Sequence, residues 1–394
     1  MNVPDQQLTP VEIGERLRIA RDEANKTQAE AAEAINVART TLVAIEQGQR
    51  KARISEVQKL AQLYKTSVNA LLRREAIYVD LSPRFRKLEV GREDKAVDEA
   101  VNLLADLAKA EVELENLLGI NRVRNYPPER PLLPGDVRAQ AEQDASELRQ
   151  RLGLGLAPIS DIVTLLEMEL GIRVFVRRFD GRISGLFAYD EELGACMLLN
   201  ANHPRERRAQ TAGHETGHFI STRTKPEILH EGEEDNSREE RYAHAYGRAL
   251  FTPPRAVMHK FHEITAGSPK LTRRHIIILA HFFGVSREAM VRRLEELELT
   301  KPGTWDWFVS NGGITDEQVR QVLGDLTPQD TQKAEADRPT TLRLNLLAAE
   351  VQRRGLLSEG QLARLLRLTR VELREILDGV EPDETDGDGV VSLE

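Results

Sequence analysis

The chain has 394 residues, 40% hydrophobic and 30% charged, with no run of about 18 apolar residues; this excludes a membrane-spanning helix and fits two or three soluble domains. Taken whole, the net charge of −9 argues against a nucleic-acid binder, but the segment through Arg74 carries +3 and the remainder −12, so a DNA-binding module is to be sought at the N-terminus. The single cysteine, Cys196, excludes an internal disulfide, and MNVPDQQLTP has no basic stretch followed by an apolar one, so the expected compartment is the cytoplasm.

Residues 10–72 predict short helices with tight connections. PVEIGERLRIARDEAN sets Ile13, Leu17, Ala20 and Ala24 at helical spacing. TQAEAAEAI opens on Thr27 with Glu30 three residues on, a capping box. VARTTLVAIEQGQR closes on Gly48, a helix stop, and SEVQKLAQLYKTSVNALL adds two amphipathic pieces. Residues 80–119 are charged and helical in pattern, and YPPERPLLPGD at 126–136 is too proline-rich for regular structure, which puts a boundary nearby.

A mixed stretch follows. DASELRQRLGLG and PISDIVTLLEMELG are helical in pattern; residues 172–179, 182–190 and 195–201 are strand-like, with β-branched and aromatic content and glycine at the breaks. ACMLLN is a candidate edge strand able to hold a substrate backbone, with Cys196 read as a small core residue. RERRAQTAGHETGHFIS and SREERYAHAYGRALF are helix candidates, the second stopped by Pro253-Pro254; residues 271–299 predict two more helices, and Trp305 and Trp307 are expected to close a small core. After a polar linker at 326–339, residues 341–377 form a small helical unit, somewhat similar to a helix-turn-helix and open to a dimerisation or partner-binding role.

The chemistry concentrates in HETGH. On a helix His214 and His218 lie one turn apart on one face and can ligate one zinc; Glu215, on the flank, can reach a water rather than the metal and act as a general base. The bland alternative is two surface histidines at a chance spacing; Ala209, Ala212, Phe219 and Ile220, which give this helix an apolar side, weigh against it. A third ligand must come from elsewhere. The next helix offers Glu239 and Glu240; Glu240 shares a face with Ala243, His244 and Gly247, where small residues allow close approach, and is the choice, while on the residues alone a solvated surface glutamate is the stronger reading for any one position of EGEEDNSREER. His244 is a candidate extra ligand or acid, and Tyr242, Tyr246 and His203 are candidates to stabilise an oxyanion.

Residues from about 150 to 300, carrying GACMLLN, RERRAQTAGHETGHFISTR and EERYAHAYGRALFTPP, resemble the ImmA/IrrE family of zinc metallopeptidases. That family has a strand ending in Asn, the H-E-x-x-H helix, and a later helix of the form E-x-x-A-N-x-F-A-x-x-L-L-M-P. Matched to it, Glu240 falls on the ligand position, while His244 departs from Asn and Phe251-Thr252 from the apolar Leu-Met. The N-terminal stretch from LRIARDEANKTQ to EVQKLAQLY resembles the lambda-repressor-like (XRE/Cro) helix-turn-helix family. That resemblance implies a phosphate contact from Gln28, a recognition helix starting near Ala38 with Arg39, Thr40 and Thr41 facing bases or backbone, and phosphate contacts from Arg50 and Lys51. The alternative for this module is protein docking or dimerisation alone.

The expected fold is multidomain and mainly α. It comprises an XRE-type helix-turn-helix domain at 8–74, a helical connector and Pro-rich linker at 75–135, a central α+β zincin-like metallopeptidase domain with a small sheet at 136–325, a C-terminal helical unit at 340–380 and an acidic disordered tail at 381–394. The expected function is a zinc-dependent endopeptidase fused to a sequence-specific DNA-binding domain, cleaving a helix-turn-helix repressor, or itself, in a stress or mobile-element response. The expected partners are a double-stranded operator, the repressor substrate and a second copy of the chain. Two competing readings are a DNA-binding regulator whose metal is structural or sensory, and an antitoxin-like partner protein.

Overall fold

The computed structural model describes residues 9–64, 66, 68, 71, 95–224, 227–230, 237–324 and 340–379. The fold is mainly helical with one small sheet and divides into two compact units: residues 1–78 with 109–121, and residues 79–108 with 122–394. The expected disordered tail at 381–394 and the start of the connector at 75–94 lie outside the described residues.

In the first unit, helices α1 (Pro10–Glu23), α2 (Gln28–Ala34), α3 (Arg39–Glu46) and α4 (Ile54–Tyr64) follow one another with short turns. Thr9 with Glu12, and Thr27 with Glu30, close capping boxes that satisfy the first N–H groups of α1 and α2. Leu17, Ala31, Leu42, Ile45 and Leu60 meet in the core. A Cβ on Gly14 would stand 2.3 Å from the Ile45 carbonyl oxygen, so only glycine lets α1 cross the end of α3 at this distance. Arg21 and Glu46 pair in the interior at 2.7 Å and tie the same two helices together. Helix α5 (Lys95–Leu118) contributes its first part to the second unit and its last to the first.

In the second unit, α6 (Val137–Arg151) precedes a short helix α7 (Ile162–Thr164) that runs on into a π-helical turn (Leu165–Leu170). Strands β1 (Arg173–Arg177), β2 (Ile183–Asp190), β3 (Gly194–Asn200) and β4 (Glu227–His230) form one sheet in the order β1-β3-β2-β4. β3 runs parallel to β1 and antiparallel to β2, and β4 pairs antiparallel to β2 with a bulge at Ile183/Gly185.

This order corrects the reading of ACMLLN as an edge strand. β3 is interior and buried throughout, Cys196 included; its continuous apolar run is the mark of a strand covered on both faces. The edge beside β2 belongs to β4, a strand the sequence pattern does not announce.

Helix α8 (Arg205–Ser221) lies on β2 and β3; α9 (Arg238–Phe251) packs on both α8 and α6. Four further helices follow: α10 (Pro254–Thr265), missed by the sequence reading, then α11 (Arg273–Phe283), α12 (Arg287–Glu296) and α13 (Thr304–Ser310), with α14 (Asp316–Leu323) after them. Phe308 is buried and Trp305 packs on the core, but Trp307, expected inside, is 56% exposed: a helix of seven residues has one buried stripe, and Phe308 occupies it. The C-terminal helices are α15 (Leu342–Arg353), α16 (Glu359–Leu365) and α17 (Arg370–Asp378). Among the described residues no helix is long and apolar enough to cross a membrane.

Candidate metal centre

The crossing of α8 and α9 assembles the site. It is built on small residues: a Cβ on Gly217 would stand 2.8 Å from the Ala243 Cα, and one on Gly247 would stand 3.0 Å from the backbone nitrogen of His214. Backbones this close bring a side chain from α9 directly onto the histidine face of α8. Three side chains then converge. His214 Nε2 lies 3.1 Å from His218 Nε2, Glu240 Oε2 lies 3.3 Å from His214 Nε2, and Glu240 Oε1 lies 3.1 Å from His218 Nε2. Ligands about 2.0–2.1 Å from a tetrahedral zinc are themselves separated by about 3.3–3.4 Å, so this donor set fits zinc in both chemistry and spacing.

His244, one turn after Glu240, is the fourth group. Its ring centroid is 4.4 Å from that of His214, and its Nε2 is 3.8 Å from Glu240 Oε2. His214, Glu240 and His244 can therefore also group ligand atoms within 4.8 Å of one another. The tighter set contains His218, which is fully buried, whereas the His244 side chain is 56% exposed.

The protonation states suit a cation. Burial pushes the His214 imidazole down to about 4, against the pull of Glu240, so it is neutral at pH 7 with a lone pair to give. Burial raises the Glu240 carboxyl, but hydrogen bonds to His214 and His218 outweigh that and hold it well below the usual carboxylate range. With His214 neutral, its contact with Glu240 is not an ion pair, and the anionic carboxylate between two imidazoles could hold a divalent metal.

Glu215 is fully buried on α8, turned toward the sheet, where a Cβ on Gly185 of β2 would stand 3.6 Å from its Oε1 and 2.6 Å from Thr211 Cγ2. The absence of a side chain at Gly185, beside the bulge, makes room for this part of α8.

Tyr242 and Tyr246, offered as oxyanion donors, sit elsewhere. Both are buried in the core; the Tyr242 hydroxyl donates to Asp144 of α6 at 2.7 Å, and the two rings stack with centroids 5.9 Å apart. Two and six residues after Glu240, they fall on the side of α9 away from it, as the helical period requires. Asp144 is the partner the sequence reading missed, since nothing local joins α6 to α9. His203 Nε2 stands 3.0 Å from the Gly181 carbonyl oxygen.

On the helix-turn-helix face, Gln28 opens α2 and Arg39 opens α3. Gln28 Nε2 donates to Glu46 at 3.1 Å, and its Oε1 accepts from Arg39 at 3.2 Å, so the two are held together. Arg39, Thr40 and Lys51 are exposed and Thr41 is half-buried. Arg50 donates to both oxygens of Glu56, at 3.0 and 2.9 Å, which holds it against the start of α4.

Comparison with known proteins follows the same division. A family model described as an IrrE N-terminal-like domain matches residues 167–295, and one described as a helix-turn-helix domain matches residues 12–74. The HTH-type transcriptional regulator ImmR of Bacillus subtilis (strain 168) is 32% identical over 94 residues, 24% of this chain and 68% of that protein. The crystal structure of ComR from Streptococcus suis aligns over 95% of both chains at 12% identity with a TM-score of 0.16, a likeness too low to support any conclusion about the fold.

Proposed function

The chain belongs to the helix-turn-helix transcriptional regulators and carries an IrrE N-terminal-like, metallopeptidase-like domain; on that premise we propose that it is a cytoplasmic zinc-dependent endopeptidase fused to its own DNA-binding domain, cleaving a helix-turn-helix repressor, or itself, to control transcription in a stress or mobile-element response. The observation that carries the reading is the convergence of His214, His218 and Glu240 within 3.1–3.3 Å of one another on a helix that also holds Glu215.

His214, His218 and Glu240 would hold the metal. Zinc bound there would supply a Lewis acid at the scissile carbonyl. The chain's own residues do the rest. Glu215, buried beside the histidines, takes a proton onto its carboxylate from the attacking water and returns it to the departing amine. An extended substrate segment pairs with the sheet edge formed by β4, and the helix-turn-helix face with Gln28, Arg39, Thr40, Thr41, Arg50 and Lys51 meets a double-stranded operator. Palindromic operators call for a homodimer.

The test is incubation of the zinc-loaded chain with the repressor-type proteins encoded beside its gene. A discrete cut by wild type, absent with Glu215→Gln at equal zinc content, supports the reading; no cut with zinc and operator bound sinks it. One observation favours a second reading, a non-proteolytic regulator with a structural or sensory metal: His244 groups with His214 and Glu240, its Nε2 3.8 Å from Glu240 Oε2, so a further protein ligand is at hand. There, His244→Ala would loosen the metal, whereas in an open catalytic site it leaves zinc content and cleavage in place.

A further inference from the structure

The C-terminal helices α15–α17 repeat, position by position, the frame of α1–α3. In each copy a capping box starts the second helix, Thr27 with Glu30 and Ser358 with Gln361, and that helix is seven residues long. Nine residues after each cap stands a non-glycine residue at positive φ, Asn36 at 62° and Arg367 at 52°. The turn hydrogen bonds coincide: Asn36 to Glu33 and Val37 to Ala32 in one copy, Arg367 to Arg364 and Leu368 to Ala363 in the other. The third helices begin at the same offset, Arg39 and Arg370.

Burial follows the same register. Ala31, Ala32 and Ile35 correspond to Leu362, Ala363 and Leu366; Leu42, Ile45 and Glu46 correspond to Leu373, Ile376 and Leu377. Glu46, which pairs with Arg21 in the first copy, is replaced by Leu377, and Val351 of α15 stands inside in place of Arg21, so the buried ion pair has become an apolar contact. One extra residue between the first two helices is the only change of spacing. A chance three-helix packing has no reason to reproduce the turn, the positive φ and the buried set together.

We propose that residues 341–378 form a second helix-turn-helix that reads double-stranded DNA through α17. The unit is anchored to its neighbours by its first helix and its turn: Thr341 donates to Glu167 at 2.5 Å, the Leu366 carbonyl accepts from Arg177 at 3.4 Å, and Arg367 pairs with Asp106. The side of α17 that would enter a groove is left exposed, with Arg370, Val371, Arg374, Glu375 and Asp378 outward. Arginine is suited to guanine edges, and an apolar side chain 64% exposed at Val371 is suited to a thymine methyl. Residues 358–378 hold four arginines against four carboxylates where residues 27–47 hold one against three, but the six residues that follow add Arg50, Lys51 and Arg53 in the first copy and three carboxylates here, so the arginines of α16 and α17 must supply the cationic contacts of this unit. Glu359, at the position of Gln28, is neutralised by Arg374 at 3.0 Å, which leaves Arg364 of α16, exposed where the first copy has Glu33, for the phosphate backbone.

The experiment uses the full chain. A random-sequence double-stranded DNA pool is selected on wild type, and the winning fragments are footprinted with wild type, Arg39→Ala, and Arg370→Ala with Arg374→Ala. The expected result is two protected elements, one lost with each variant, with the α17 variant at least about tenfold weaker and shallower in its salt dependence. Both arginines are exposed and the Arg374–Glu359 pair is a surface one that contributes little to stability, so the variant stays folded and melts within a few degrees of wild type. An unchanged footprint, affinity and salt slope overturns the proposal. So does a variant that keeps its DNA but loses self-association or a bound protein, which would make the unit a docking module.

Discussion

His218 and Glu240 are 22 residues apart in sequence and 3.1 Å apart in space, and the metal centre depends on that pair more than on the histidine spacing alone. Replacing either by alanine removes one of three donors, and zinc measured by elemental analysis should fall from about one per chain to near none, with His244→Ala unchanged. A wild-type metal content in Glu240→Ala would move the third ligand elsewhere. In the first unit Glu46, only 5% exposed, accepts two hydrogen bonds from the buried Arg21 guanidinium, whose other partners are Asp22 and the Lys26 carbonyl. Glu46→Ala should cost about 1–3 kcal/mol, read as a lowered midpoint in urea by circular dichroism; a cost under about 0.5 kcal/mol would show that Asp22 and the Lys26 carbonyl suffice for Arg21. The histidines and Glu215 were legible because i and i+4 on a helix need no tertiary knowledge. Glu240 was legible only through its helical face; the same period already puts Tyr242 and Tyr246 on the other side of α9, and what has no local trace is the partner of Tyr242, Asp144, on a helix about a hundred residues earlier.

At the scale of elements, the α8–α9 crossing is the weak point of the design. Gly217→Ala places a methyl 2.8 Å from backbone at Ala243, which cannot rotate away, so the helices must part. The expected cost is about 1–3 kcal/mol together with weaker zinc binding, because Glu240 rides on the helix that moves. Stability loss with unchanged zinc affinity would separate the crossing from the metal centre. Between α8 and the sheet, Gly185→Ala would strike Thr211 Cγ2, the end of a side chain; adding Thr211→Ser, which deletes that methyl, should recover most of the loss. If the pair is no better than Gly185→Ala alone, the strain lies in the β2 bulge instead. Capping boxes, glycine stops and the apolar stripe of each long helix were readable because each is a local pattern. Strand β4 was not: four residues, Glu227–His230, leave too short a period, and only pairing with β2 defines them.

For the whole molecule, the proposed zinc site predicts a link between metal and stability. A metal that binds the folded chain and not the unfolded one stabilises it by about 2.7 kcal/mol at a hundred times its dissociation constant. Thermal melting of the wild-type chain should therefore rise with added zinc and fall with chelator, and Glu240→Ala should show neither shift; equal shifts in both would place the stabilising metal at another site. The sequence by itself determined most of the helical segments (α10 excepted), the start of the helix-turn-helix frame, and that His214 and His218 share one helical face with Glu215 on its flank, since these rest on periods of a few residues and on capping chemistry. The tertiary structure alone decided the strand order that puts β3 inside and β4 at the edge, the pairing of Tyr242 with Asp144, the exposure of Trp307, and the meeting of Glu240 with two imidazoles. Each of these depends on which distant surfaces exclude water from one another, and close packing between elements far apart in the chain leaves no local trace.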